Sequence, residues 1–300
     1  MERMYRRFLG VDLGGGKGKT TAVARLEISE SGALEVMEVG TTRAGKDPWY
    51  DENLIDYLGV QSEGAALAID APLTTTACVR CREDVCPGMT ACVDPAVVWF
   101  RTVGTELIAR AQPDERDQIV AVPMGRGRVR PTPPSTAPPV PPMQKPSITP
   151  YTQRATEVHM HRVHGIMPRE TLGQGMGPLT ARAAHLTRAL ARFGYRLNQN
   201  MLEVYPKATI AKLWGAQVAR RYKRRAGTWE ARAGILEALQ GTLEFARGSR
   251  MAREQCLQND HCFDAVICAY TAFLWARDGW QLPEAERAVF AVDGWIWAPP

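Results

Sequence analysis

No stretch of this sequence approaches the roughly 18 to 20 consecutive apolar residues that a membrane span requires. The basic start, Met1 to Arg7, runs into a strand-like segment where a secretory signal would carry its apolar core. The expectation from these two absences is a cytoplasmic protein with no membrane partner. Internal repeats are lacking too, which excludes solenoids and propellers. Net charge is small: 37 Lys and Arg against 32 Asp and Glu leave +5, so any preference for a polyanion must come from where the charges sit. Seven cysteines in 300 residues are too few, in too long a chain, for a disulfide scaffold of the usual size below about 80 residues. What the chain has is apolar bulk, 45% of its residues. That suits one large domain spanning residues 1–300 and excludes global disorder and a coiled coil.

The hydrophobic pattern places an ordered set of elements. Arg7 to Leu13 reads as a buried strand meeting the glycines Gly14, Gly15 and Gly16; Thr20 to Ile28 and Leu34 to Thr42 read as two further strands of an antiparallel meander. Trp49 to Leu58 has helical spacing, and Ala65 to Ile69 is a continuous apolar run ending at Asp70, the natural crossover back to the sheet. A helix is expected from Pro95 to Ala111, then a Pro-rich flexible loop over 123–150 that carries ten of the 21 prolines, with Arg126, Arg128 and Arg130 at its start. Helical spacing resumes at Tyr151 to Val163 and Leu179 to Phe193. Met201 to Val204 supplies a fifth strand, and helices follow at Ala208 to Trp214, Trp229 to Phe245 and Phe263 to Ala276, with Asn259 or Asp260 as N-cap. Val289 to Trp297 reads as a last short strand.

A P-loop is suggested by Gly14 to Thr20 (GGGKGKT) but fails on spacing, because its first glycine would fall at Leu13, and a strand rather than a helix follows. The acids carry more. Asp12 ends the first strand and Asp70 the fourth; a carboxylate closing a buried strand is costly unless it meets something positive. If the two strands are neighbours, the two carboxylates need a cation between them. For either acid alone, capping a turn or pairing with a base is the simpler explanation. Glu203 lies inside the fifth strand, and Asp264 in the first turn of an apolar helix with His261 three residues earlier on the same face.

Four cysteines, Cys78, Cys81, Cys86 and Cys92, fall within a Cys-rich insertion at 74–94. Paired thiolates at such spacing hold either a tetrahedral Zn²⁺ or an iron–sulfur cluster. The spacing matches neither the usual zinc ribbon nor the common ferredoxin runs. His159, His161 and His164 make a poor three-ligand set, since His159 does not share a face with the other two, and a solvated helix face is expected. Arg154 and Glu157 have the spacing of an i, i+3 pair. A basic run, Arg220, Arg221, Lys223, Arg224 and Arg225, interleaved with Tyr222 and followed by Trp229, fits nucleic-acid backbone contact with base stacking.

Gly10-Val11-Asp12-Leu13-Gly14, Ala68-Ile69-Asp70-Ala71-Pro72-Leu73, Arg154-Ala155-Thr156-Glu157, Glu203-Val204-Tyr205-Pro206-Lys207-Ala208 and Phe263-Asp264-Ala265-Val266-Ile267-Cys268-Ala269-Tyr270 together resemble the domain-of-unknown-function 429 family of predicted RNase H-like nucleases. The resemblance runs in order to Gly294-Trp295-Ile296, and Asp293 stands where the family pattern leads one to expect Glu. It implies an α/β RNase H-like fold, a mixed five-stranded sheet with flanking helices, and a predicted nuclease activity. Three or four carboxylates suit Mg²⁺ or Mn²⁺. The expected roles are Asp12, Asp70 and Asp264 as metal ligands, Glu203 as ligand or water-orienting base, and His261 as proton shuttle or phosphate contact. Two alternatives remain open at the level of sequence: a non-catalytic nucleic-acid-binding module of the same fold, and a sugar-kinase-like phosphotransferase suggested by Asp12-Leu13-Gly14.

Overall fold

In the computed structural model the residues described are 5–16, 20–106, 149–223, 227–246 and 250–300. The Pro-rich segment from 123 to 148, with Arg126, Arg128 and Arg130, lies outside them, as do Lys17 to Lys19 and Arg224 and Arg225.

Seven strands form one mixed sheet. We number them β1 (Arg7–Asp12), β2 (Ala22–Ile28), β3 (Leu34–Gly40), β4 (Ala65–Asp70), β5 (Met201–Val204), β6 (Leu243–Phe245) and β7 (Ile296–Trp297). Their order across the sheet is β6-β3-β2-β1-β4-β5-β7. The β1–β2 and β2–β3 pairs are antiparallel, and the other four pairs are parallel. The expected five strands are thus seven. The two additions are edge strands of three and two residues; β6 is too short for alternation to register in the sequence, and β7 is the end of the last strand expected at Val289 to Trp297. The helix expected over Trp229 to Phe245 stops at Ala238, where the chain turns to make β6. Likewise Val289 to Trp297 is not one strand, because a helix at Arg287–Asp293 precedes β7. In the helix expected from Pro95, an α-helical turn at Pro95–Trp99 passes into a π-helical one at Phe100–Gly104, and residues beyond 106 are not among those described.

Both faces of the central strands are covered, so β1 and β4 read as nearly unbroken apolar runs. Alternate side chains serve the two cores. Phe8, Leu26 and Val36 pack with the helices we call α8 (Asp260–Asp278) and α7 (Arg250–Gln258). Leu9, Val11, Leu67 and Ile69 face α1 (Asp51–Val60) and α3 (Gly177–Leu190). The intervening helices are α2 (Ala155–His164), α4 (Pro206–Trp214), α5 (Ala216–Arg221) and α6 (Thr228–Ala238).

Two features of α8 set the position of the site. Asn259 caps its N-terminus, accepting a hydrogen bond from the His261 N–H at 2.9 Å. The helix therefore begins at Asp260, and Asp264 lies a full turn inside, not in the first turn. Gly10 then lets α8 rest directly on β1. A Cβ added at Gly10 would stand 1.9 Å from the Ala265 carbonyl oxygen and 2.5 Å from the Ala269 amide nitrogen. The small residues Gly10, Ala265 and Ala269 together bring α8 down onto the end of β1, and Asp264 with it. Among the described residues no helix is long and apolar enough to cross a membrane.

Candidate functional site

The parallel register of β1 with β4 pairs Asp12 with Asp70 at the C-terminal ends of both strands, where open α/β sheets leave crevices for ligands. Asp264 approaches from α8. Ligand oxygens of Asp12, Asp70 and Asp264 all lie within 4.8 Å of one another, the one such group of three or more acid, Cys or His residues among the described residues. Asp264 is fully buried and Asp12 nearly so. Neither Asp264 oxygen forms a hydrogen bond of ordinary geometry; its charge is met by an ion pair with the Lys223 ammonium.

Electrostatics follow from this crowding. Burial, then the charges of Asp12 and Asp264, push the Asp70 carboxyl well above the usual carboxylate range. Burial raises Asp264 to about 7, and Asp12 adds to the rise while Lys223 opposes it. Burial would pull the Lys223 ammonium down, but Asp264, Asp70 and Asp12 outweigh it and hold its affinity for a proton above the ordinary value. His261 Nδ1 lies 2.6 Å from Asp12 Oδ2, and that hydrogen bond raises the imidazole against the smaller opposing effect of burial. The arrangement is a cluster of acids that holds positive charge, with a protein ammonium on one side and an imidazole on the other.

Glu203 is not among the three converging acids. Both its oxygens are taken by Arg154, at 2.7 Å from Nη1 and 2.5 Å from Nη2, and the Leu73 N–H donates to it at 2.9 Å. Arg154, almost wholly buried, also reaches Glu157 at 3.0 Å and Thr74 Oγ1 at 2.7 Å. Glu157 closes a capping box at the start of α2 and accepts from Thr171. Asp293 accepts from the Ala155 N–H and from Arg80, both at 2.5 Å. At Gly294 (φ 97°) an added Cβ would collide with Thr74 Oγ1 and Arg154 Nη1, at 2.3 and 2.8 Å. The Arg-Ala-Thr-Glu and Asp293-Gly294 segments thus meet in one buried polar network beside the acids.

A cleft of about 870 Å³ opens over the cluster, lined by Asp12, Asp70 and Glu203 and by the cations Arg154, Arg169, Lys207, Arg220 and Lys223. Of the basic run, Arg220 and Arg221 are exposed on α5, while Lys223 turns inward to Asp264. Tyr222 is buried against Phe263, ring centroids 5.6 Å apart, so it offers no face to a base; Trp229 is exposed. Arg224 and Arg225 lie outside the described residues. The inward turn of Lys223 was not legible from the sequence, because a lysine between two arginine pairs carries the same signal whichever way it points.

His159 departs from the expected solvated face. Its ring packs between Phe290 and Trp295, at 5.5 and 5.1 Å, and against His164 at 5.5 Å. Burial, with a smaller push from His164, lowers it to about 4.

In the 74–94 segment, Cys78, Cys81 and Cys86 are exposed thiols and Cys92 is half-buried. The other three thiols are the electrostatic neighbours of Cys78, at wider spacing than the carboxylates.

A family model described as "Protein of unknown function (DUF429)" matches residues 10–288. No curated protein and no solved structure matches the chain.

Proposed function

This chain belongs to the DUF429 family of unknown function, and from that premise and the site's chemistry we propose that it is a metal-dependent nuclease of RNase H-like fold that hydrolyses phosphodiester bonds. The family's description names no activity, so the site carries the reading. The single observation behind it is the convergence of Asp12, Asp70 and Asp264 within 4.8 Å, with Asp12 and Asp70 lining a cleft walled by cations and Asp264 buried behind them. The order of the first five strands, β3-β2-β1-β4-β5, with β1 central and its acid meeting acids from the fourth strand and a late helix, supports the fold assignment.

The donor set fits a hard cation: three carboxylates, no sulfur, and two Asp264 oxygens buried without an ordinary hydrogen bond. Asp12, Asp70 and Asp264 would hold Mg²⁺ or Mn²⁺, which would supply activation of a water and neutralisation of the leaving oxygen. The chain's own residues account for the remainder. Arg169, Lys207 and Arg220 on the cleft wall attract and orient phosphates. His261, held by Asp12 and partly exposed, is placed to carry a proton between the site and solvent. Glu203, with both oxygens engaged by Arg154, positions that arginine and the Leu73 backbone.

Lys223 favours a second reading. An ammonium already paired with Asp264 can neutralise the acids without any metal, which would leave a binding module of the same fold that retains the basic cleft. A sugar-kinase-like phosphotransferase has no comparable support, since the Asp12 turn is the only phosphate-loop candidate the sequence offers.

The experiment is cleavage of single-stranded, duplex, hybrid and branched DNA and RNA with Mg²⁺, Mn²⁺ or EDTA, by wild type, Asp12→Asn and Asp264→Asn. The nuclease reading requires metal-dependent cleavage that both variants lose. Binding to the same substrates without cleavage, weakened by reversing Arg220, would instead establish the binding module.

A further inference from the structure

The chain places its cysteines in two opposite environments. Cys256, Cys262 and Cys268 are buried, at 0 to 2% exposure, as free cysteines commonly are. Cys78, Cys81 and Cys86 are exposed, and they sit in a stretch, residues 81–91, in which every side chain is exposed. Residues 81–91 contribute no buried side chain to a core, yet the stretch takes up defined structure, with a single helical turn at Gly88–Ala91. Hydrophobic burial therefore cannot account for its order.

Polar contacts fasten the segment's flanks. Arg80 reaches the Thr75 carbonyl at 2.9 Å and Asp293 at 2.5 Å. Arg101 gathers the carbonyls of Met89, Thr90 and Cys92, at 2.7, 2.8 and 3.0 Å. Between these anchors Cys81, Cys86 and Cys92 lie within electrostatic reach of Cys78, with no three of the thiols closed to within 4.8 Å of one another. The Gly88 N–H donates to Cys86 Sγ at 3.4 Å, the kind of backbone bond that stabilises a thiolate on a metal.

We propose that Cys78, Cys81, Cys86 and Cys92 bind a tetrathiolate metal centre, either Zn²⁺ or an iron–sulfur cluster, that replaces the missing hydrophobic core of residues 81–91 and fixes them against the carboxylate cleft. Coordination exchanges thiol protons for metal–sulfur bonds and requires no oxidant or reductant for zinc; an iron–sulfur cluster would be delivered with its inorganic sulfide. The two differ in span. A tetrahedral zinc site holds its sulfurs roughly 3.8 Å apart, given a Zn–S bond of about 2.3 Å, so zinc would have to draw these thiols together from their wider spacing, whereas cluster thiolates sit on separate irons and stand further apart. The link to the cleft runs through Arg80, which holds one oxygen of Asp293, while the other oxygen of Asp293 holds the Ala155 N–H. Ala155 is the neighbour of Arg154, which grips Glu203 in the cleft wall. This inference is independent of the nuclease reading.

The test uses the full chain purified without oxygen and without added metal. Zinc, iron and acid-labile sulfide are measured alongside the absorption spectrum, in wild type, in Cys81→Ser/Cys86→Ser and in Asp12→Asn. The expected result is stoichiometric zinc, or iron with matching sulfide and visible absorption, lost about tenfold or more in the cysteine variant and kept in Asp12→Asn. In wild type, the four thiols should resist Ellman's reagent until the metal is stripped. Stripping should also raise hydrogen exchange at 74–94 and at the start of α2. Wild-type protein with no stoichiometric zinc or iron and with these thiols reactive from the outset would overturn the proposal, as would metal retained by the cysteine variant. The wild-type measurements stand even if the variant fails to fold, and none of them reads cleavage.

Discussion

Lys223 lies against Asp264 as an ion pair, an ammonium delivered by the loop after α5 to a carboxylate fully buried on α8. The pair sits among Asp12 and Asp70, so the lysine occupies electrostatic territory that a divalent ion would share. Replacement by Lys223→Met leaves three acids without their nearest fixed positive charge. In EDTA the variant should lose about 1–3 kcal/mol, less than a wholly buried pair because the lysine is partly exposed. Mg²⁺ or Mn²⁺ should return the loss, with affinity at least about tenfold tighter than wild type. Thermal melts and calorimetric titration check both; a variant indifferent to divalent ions would favour the binding-module reading.

The contact between Gly10 and Ala265 predicts intolerance of a single methyl group. With an added Cβ 1.9 Å from a backbone oxygen, no rotamer change relieves the clash, and α8 must lift from β1. Gly10→Ala is expected to cost about 3 kcal/mol or more, at the upper end for overpacking. It should also weaken metal binding, because Asp264 moves with the helix. Urea unfolding measures the first effect and metal titration of the folded variant the second.

Arg154 and Glu203 invite a double-mutant cycle. Both are almost wholly buried, so Arg154→Met alone strands two carboxylates, Glu203 and Glu157, and should destabilise by roughly 3–5 kcal/mol. Adding Glu203→Leu removes one stranded charge. The double variant should therefore be more stable than Arg154→Met, with a coupling energy above about 1 kcal/mol by denaturant unfolding. Additive losses would mean that the pair is not coupled as the geometry requires.

His159 gives a pH dependence with a definite sign. Its imidazole is held neutral in the fold, down to about 4 against an ordinary 6.5, so between these values the unfolded chain binds more protons than the folded one. The stabilisation is complete above pH 6.5 and is lost as pH falls from there toward 4. Discounted for partial exposure, the loss should be about 1–2 kcal/mol. In His159→Phe this part of the pH dependence should disappear. Melts of both proteins from pH 7.5 to 4.5 make the comparison, and parallel curves would contradict it.

Sequence and structure agree where a signal is long or repeated. The buried runs at Arg7 and Ala65 carry their acids at matching ends, so parallel pairing alone puts Asp12 beside Asp70. Asp264 was legible as an acid in an apolar helix, though its depth depended on Asn259 as the cap. Other features left no pattern to read. The edge strand β6 is shorter than one alternation cycle can resolve, and β7 keeps only the last two residues of the strand expected from Val289. Glu203 looked like a site acid because a strand pattern says that a side chain points inward, but not that Arg154, forty-nine positions away, has already claimed it. Asp293 departs from the pattern that the family resemblance implies. In place, its short side chain spans the Ala155 N–H and Arg80 at once, beside the close approach that Gly294 permits.

The order of the sheet also bears on how the chain is made. β1 lies in the middle of the sheet, and its apolar face is covered by α8, whose residues emerge from the ribosome some 250 positions later. Until then the first strands have a half-built core, and Asp12 and Asp70 face each other without His261 or Asp264. A nascent chain halted before residue 260 should therefore be a client for chaperones, and the three-acid cluster can close only when the last long helix has docked.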